Sequence, residues 1–228
     1  MVRLGCPIVV ALGLILLTSV GGAEQPFTPV PYLDTDSSAL QMRVVKYTGG
    51  VHGKMIVVLR NMGPLPEQFS ARGIYFVPIG QPEQPGQPEQ PPARVPQREV
   101  ASGPFEVVGR QSSKRVTTVS VKPGESLRLK LQTFCLDADR PSPAVGHLFK
   151  VATTRLPADL RARIENGTEG ILRRTSGEGA AQSSIQGHVW QMRRAHRVQL
   201  EGDLPNQGAG HRAGQSGGFY LAPPTQER

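Results

Sequence analysis

The chain has 228 residues, with 26 Lys and Arg against 18 Asp and Glu, a formal net charge of +8, and 5% aromatic content. Its basic residues are scattered, with no dense Lys/Arg run and few aromatics among them. That pattern excludes a nucleic-acid-binding reading and leaves a solvated basic face able to touch an anionic surface polymer.

The first 23 residues carry the three parts of an export signal in order. Arg3 supplies a positive start, Ile8 to Leu17 (IVVALGLILL) an unbroken apolar run, and Val20-Gly21-Gly22-Ala23 small residues ahead of Glu24. Residues 1–23 therefore read as a cleavable secretory signal peptide, and the mature chain works outside the cytoplasm, as a secreted, periplasmic or cell-surface protein. A membrane anchor wants ~20 apolar residues, more than this run supplies, so no stable span is expected in the mature chain. Leu4-Gly5-Cys6 precedes the apolar run instead of following it, which argues against lipidation. Removing 23 residues from 228 leaves 205; Arg3 is the one charge lost, so 25 basic and 18 acidic residues remain, net +7. That length suits one sizeable domain, or a smaller one with tails.

Residues 24–40 are polar and proline-bearing, a lead-in. Met42–Tyr47 is a short apolar run meeting the turn signal Gly49-Gly50, and Lys54–Arg60 (KMIVVLR) follows as a β-branched strand. Ile74–Val77, Phe105–Val108 and Val116–Val121 continue the series. After the turn pair Pro123-Gly124, Ser126–Phe134 alternates cleanly. Short strands with glycine and proline punctuation predict a mainly β fold over 41–136, an antiparallel immunoglobulin-like sandwich. Within it, residues 81–92 (QPEQPGQPEQPP) form a near-perfect six-residue repeat. Proline at that density removes backbone donors and predicts an extended segment, a projecting loop between strands or a linker between two halves.

Residues 137–200 read as a small helical C-terminal portion packed on the sandwich. Pro157 opens a helix with Asp159 in its first turn and Leu160 and Ile164 on one face, and Asn166-Gly167 is expected to stop it. Gly177–Gly179 is a loop. A second helix is expected over Ser183–Arg197, with Ile185, Val189 and Met192 on its buried face and Arg193, Arg194 and Arg197 toward solvent. From 201 to 228 the chain is Gly/Gln-rich and reads as a disordered tail.

Cys6 leaves with the signal, so Cys135 is alone in the mature chain and no intramolecular disulfide can form. Such a cysteine is a buried inert thiol, an intermolecular bridge or a reactive group. The period-2 rule puts Leu127, Leu129, Leu131, Thr133 and Cys135 on one face of their strand, pointing the thiol toward the core. The turn after it carries Asp137 and Asp139. His52, His147, His188, His196 and His211 show no metal-ligand spacing, and no phosphate loop or dinucleotide fingerprint occurs, so neither metal nor cofactor is expected. A Cys–His nucleophile pairing Cys135 with His147 or His188 would have to be assembled by the fold.

Two segments carry a resemblance. Phe134-Cys135-Leu136 is similar to the [YFL]-C-Φ motif of bacterial surface thioester domains. Ile185-Gln186-Gly187-His188-Val189-Trp190 resembles their Φ-Q-x-x-Φ-Φ motif. No separate T-Q-x-A segment lies between them, so Gln186 with Val189-Trp190 answers to either of the family's glutamine motifs. The resemblance implies an internal thioester between Cys135 and Gln186, formed with release of ammonia, and an adhesin that acylates a nucleophile on its target. Phe134, Asp137, His188 and Trp190 would be the neighbours of that site.

The sequence thus supports an exported, non-catalytic binding or cell-envelope protein whose partner is an extracytoplasmic protein or an anionic surface polymer. The alternative is a covalent thioester adhesin.

Overall fold

A computed structural model describes residues 25–33, 38–50, 53–80, 95–109 and 115–203. The signal segment, the Pro/Gln-rich repeat at 81–92 and the tail from 204 onward lie outside the described residues.

Among the described residues, eleven strands precede two helices. They are β1 (Thr28–Pro29), β2 (Leu40–Tyr47), β3 (Lys54–Asn61), β4 (Glu67–Ser70), β5 (Tyr75–Gly80) and β6 (Glu99–Ala101), then β7 (Phe105–Val108), β8 (Arg115–Val116), β9 (Thr118–Val121), β10 (Ser126–Cys135) and β11 (Leu148–Val151). The helices are α1 (Ala158–Arg174) and α2 (Glu178–Ala195). Every pairing is antiparallel. The main sheet runs β1-β2-β3-β10-β6-β5-β11, with β7 and β8 branching from β10, while β4 and β9 form a separate ribbon. β10 is the spine: its first half pairs with β3 and β7, its last three residues with β6. The sheet curls until β11 lies beside β2, where the rings of Tyr47 and Phe149 meet at 5.0 Å, so the barrel nearly closes. The protein is therefore mainly β, an antiparallel, nearly closed barrel-like sheet with two C-terminal helices.

Alternation builds two cores. In β3 and β10 every second residue is buried, and Met55, Val57, Leu59, Leu127, Leu129 and Leu131 fill the barrel. Beyond Thr133 both faces of β10 are covered. Phe134 turns outward into a second core with Val100 and Tyr75, roofed by Leu160 and Ile164 of α1 and by Ile185 and Val189 of α2. A bulge in β2 sets Val45 and Lys46 together on the outer side opposite Ile56, and returns Tyr47 to the interior.

The helical portion departs from the sequence expectation in three places. α1 runs through Asn166-Gly167 without a break. A β-carbon on Gly167 would come within 1.9 Å of the His188 imidazole, so this glycine serves the close packing of α2 on α1 rather than a stop. α2 starts at Glu178, with Gly177 as its N-terminal boundary, five residues before the expected Ser183. Leu148–Val151 is a strand that completes the sheet from within the segment read as helical. The lead-in is also tied down: β1 pairs with β2, and Glu67 accepts hydrogen bonds from Ser38 Oγ (2.6 Å) and Ala39 N (2.7 Å). No helix among the described residues is long and apolar enough to cross a membrane.

Candidate functional site

The end of β10 meets the middle of α2, and Cys135 and Gln186 meet there. Leu136 N donates to Arg98 O at 2.8 Å, which makes Cys135 and its partner Glu99 a non-hydrogen-bonded pair in the ladder. The N–H and C=O of Cys135 therefore point away from β6, toward the position β3 would occupy. But β3 begins at Lys54, opposite Gln132, and the last backbone contact on that side among the described residues is Thr133 N to Gly53 O at 3.1 Å. Gln186 takes the part of a strand neighbour at Cys135. Its Oε1 accepts from Cys135 N at 2.9 Å and its Nε2 donates to Cys135 O at 2.8 Å, the reciprocal pair a β neighbour would make. Each such bond is worth ~1 kcal/mol net, and each buried backbone group left unpaired costs ~1–3 kcal/mol.

The sulfur faces the other way. Cys135 continues the inward set Leu127, Leu129, Leu131 and Thr133, and its thiol donates to Glu99 Oε1 at 3.0 Å inside the barrel. Non-hydrogen-bonded pairs bring side chains close, which accounts for this contact. Glu99 is fully buried, and its Oε2 has no hydrogen-bond partner among the described residues. Burial pushes the carboxyl up to about 8, so at neutral pH it is mostly protonated. Burial, and then the adjoining Glu99, push the Cys135 thiol well above its ordinary range. Tyr47 closes the interior side, its hydroxyl donating to Gly50 O at 2.6 Å. The group is thus a neutral thiol beside a neutral acid, closed to solvent, and a thiol without thiolate character is a poor nucleophile.

One turn further on, Asp137 anchors a buried ion cluster. Arg98 Nε and Nη2 grip its two oxygens at 2.8 and 2.5 Å, and Arg98 also reaches Asp203 at 2.9 Å and Glu201 O at 3.1 Å. Arg193 of α2 lies 3.6 Å from Asp203 and 4.0 Å from Asp137, and donates to Val198 O at 2.8 Å. Burial raises Asp137, but the paired Arg98 overcomes it and holds the carboxyl below the usual range. The cluster ties the start of β6, the turn after β10, the end of α2 and the segment after it into one unit.

Comparison of the chain with protein-family models, with curated proteins and with solved structures finds no match in any of the three.

The residues singled out from sequence separate as follows. Cys135 and Gln186 are brought together, through the backbone of Cys135 and not through its sulfur. Phe134 packs in the outer core and Asp137 holds Arg98. His188 contacts the Arg163 carbonyl at 3.0 Å on the α1 side of α2, and His147 Nδ1 accepts from Ala144 N at 2.7 Å. The thiol's bond is to a carboxyl and not to an imidazole. Trp190 is half-buried, its indole Nε1 enclosed without a partner among the described residues. Arg193, expected to face solvent, is drawn into the ion cluster, because the chain after α2 folds back over it. Glu99, Arg98, Tyr47 and Asp203 carry no sequence signal of their role. Arg98-Glu99 follows a proline-rich stretch and reads as an ordinary solvated pair.

Proposed function

We propose that this chain is an exported, non-catalytic binding or cell-envelope protein, in which the barrel is the binding scaffold and Cys135 a structural thiol. One observation supports this above the others. Both functions of the Gln186 carboxamide are used on the Cys135 backbone, while the thiol, protonated and buried, is held by Glu99 from the opposite side. Nothing in that arrangement activates a nucleophile. The export part of the proposal rests on residues 1–23, which have the order of a secretory signal. The immunoglobulin-like character belongs to the proposal as well. The antiparallel pairing and the alternating inner face favour it, and the continuous curl of the main sheet from β1 to β11 is the feature against which it is measured.

A second reading is favoured by a specific contact. The two residues that a thioester would join lie within hydrogen-bond reach of one another's local groups, at 2.9 and 2.8 Å. Forming the bond requires the Cys135 side chain to leave Glu99 and turn toward α2, the thiolate to attack the Gln186 carbonyl carbon, and ammonia to depart. Intact mass of the purified mature chain separates the readings. The structural-thiol reading gives the full sequence mass. A deficit of one ammonia, absent from both Cys135→Ala and Gln186→Ala, replaces it with the adhesin.

A further inference from the structure

The outer face of β2, β3, β10 and β7 carries six of the chain's 26 Lys and Arg. Register places the side chains in rows across the strands. Arg128 stands beside Val58, with Arg43 beyond it and Val108 on the other flank. Lys130 stands beside Ile56, with Lys46 beyond it and Glu106 on the other flank. Arg60 lies opposite Ser126 and Gln41, and Lys54 opposite Gln132. Six cations thus share one face with one carboxylate of the sheet itself, Glu106; Glu178 reaches Lys54 from α2 at 3.7 Å. Same-face neighbours along a strand are ~7 Å apart and adjacent strands ~5 Å, so the charges form closely spaced rows on the outer face of the curled sheet, and the end with Lys54 and Lys130 borders a cavity that α2 helps to line.

Three features narrow the partner. Ile56 and Val58 lie half-buried between the cations, and their aliphatic surface suits the apolar face of a sugar ring. The one aromatic at the edge among the described residues, Phe27, is covered by Arg60 at 3.8 Å and Arg43 at 4.8 Å, which leaves its ring unavailable as a stacking platform of the kind single-stranded nucleic acid uses. Among the described residues no Trp, Phe or Leu projects from the face to enter a bilayer, which amphipathic membrane surfaces need. Arg128 and Lys46 are exposed, and no described acidic residue pairs with either, so they meet an incoming anion without first breaking a bond.

We infer that this sheet face binds an extended acidic polysaccharide, its carboxylate or sulfate groups set against the rows of Arg and Lys. This rests on the binding-protein reading and names the partner for it. The test is binding of the purified mature chain to polygalacturonate and to heparin, with neutral dextran, anionic phosphatidylglycerol vesicles and a single-stranded oligonucleotide alongside. Binding to one or both acidic polysaccharides is expected to weaken as salt is raised. In the double variant K46Q/R128Q it is expected to fall by roughly tenfold or more, with an unchanged melting temperature. The charge-matched variant R173Q/R194Q, on the exposed helix surface, is expected to bind as the wild type does. Failure to bind either polymer, equal loss in both double variants, or tighter binding to vesicles or oligonucleotide overturns the inference. Intact mass does not depend on the polymer, so this inference and the reading beneath it fail separately.

Discussion

Glu99→Gln keeps the shape of the buried carboxyl and takes away its titration. Burial raises Glu99 from about 4.5 to about 8, so between those values the folded protein holds a proton that the unfolded chain has released. Its contribution is fully present at pH below the unfolded value and is lost as pH rises through the folded one. The slope approaches ~1.4 kcal/mol per pH unit while the two states differ by one proton. From about pH 5 to about pH 8 this one group removes ~3 kcal/mol, a fall of ~6–12 °C in melting temperature for a domain of this size. Glu165, raised by burial to about 7, adds a loss of the same sign. Asp137 and Glu201, which burial raises but Arg98 and Lys150 pull down further, act oppositely and lose stability as pH falls. These terms are common to wild type and variant and largely cancel in the comparison. Urea melts of both proteins across that interval should show a flatter profile for Glu99→Gln, with the variant the more stable at the alkaline end. Parallel profiles would refute the assignment of Glu99 as a neutral buried acid.

Gln186→Leu leaves Cys135 N and O without partners in the outer core and should destabilise by ~2–4 kcal/mol in urea unfolding, with the thiol still unreactive in the folded state. Asp137→Asn removes one of the two carboxylates that compensate buried Arg98, leaving Asp203, and should cost ~3 kcal/mol. The variant should also lose the part of the acid-side decline that Asp137 contributes, read as a shallower fall in stability below about pH 4. Gly49→Ala places a β-carbon 2.7 Å from Val145 N at a residue with φ of +82°, and should lower stability by ~2 kcal/mol in thermal melts.

Much of the barrel is legible in the sequence because period-2 alternation is a local signal. Lys54–Arg60 and Ser126–Phe134 are strands whose burial follows the pattern residue by residue as far as Thr133, where the second core covers the other face as well. Val116–Val121 is divided at Thr117, β8 pairing with β7 and β9 with β4, since the partners of a short strand are fixed by the fold and not by the strand. β4, β6 and β11 are three or four residues long and too short to carry a period. The helices show the limit from another side. Gly167 has the composition of a stop, and only its neighbour His188 on α2 reveals why the helix continues. The site divides similarly. Cys135 and Gln186 stand out by motif, but Glu99 is placed against the thiol by strand register alone. Arg193 on a helix surface looks solvated until the segment Val198–Asp203 covers it.

The state of one sulfur separates a structural thiol from a reactive or acylated one, and alkylation of the mature chain before and after unfolding reads it. A protected thiol held by Glu99 should take up no reagent while folded and one alkyl group per chain in denaturant. Rapid labelling of the folded protein, or a chain that stays unlabelled even when unfolded, would contradict it.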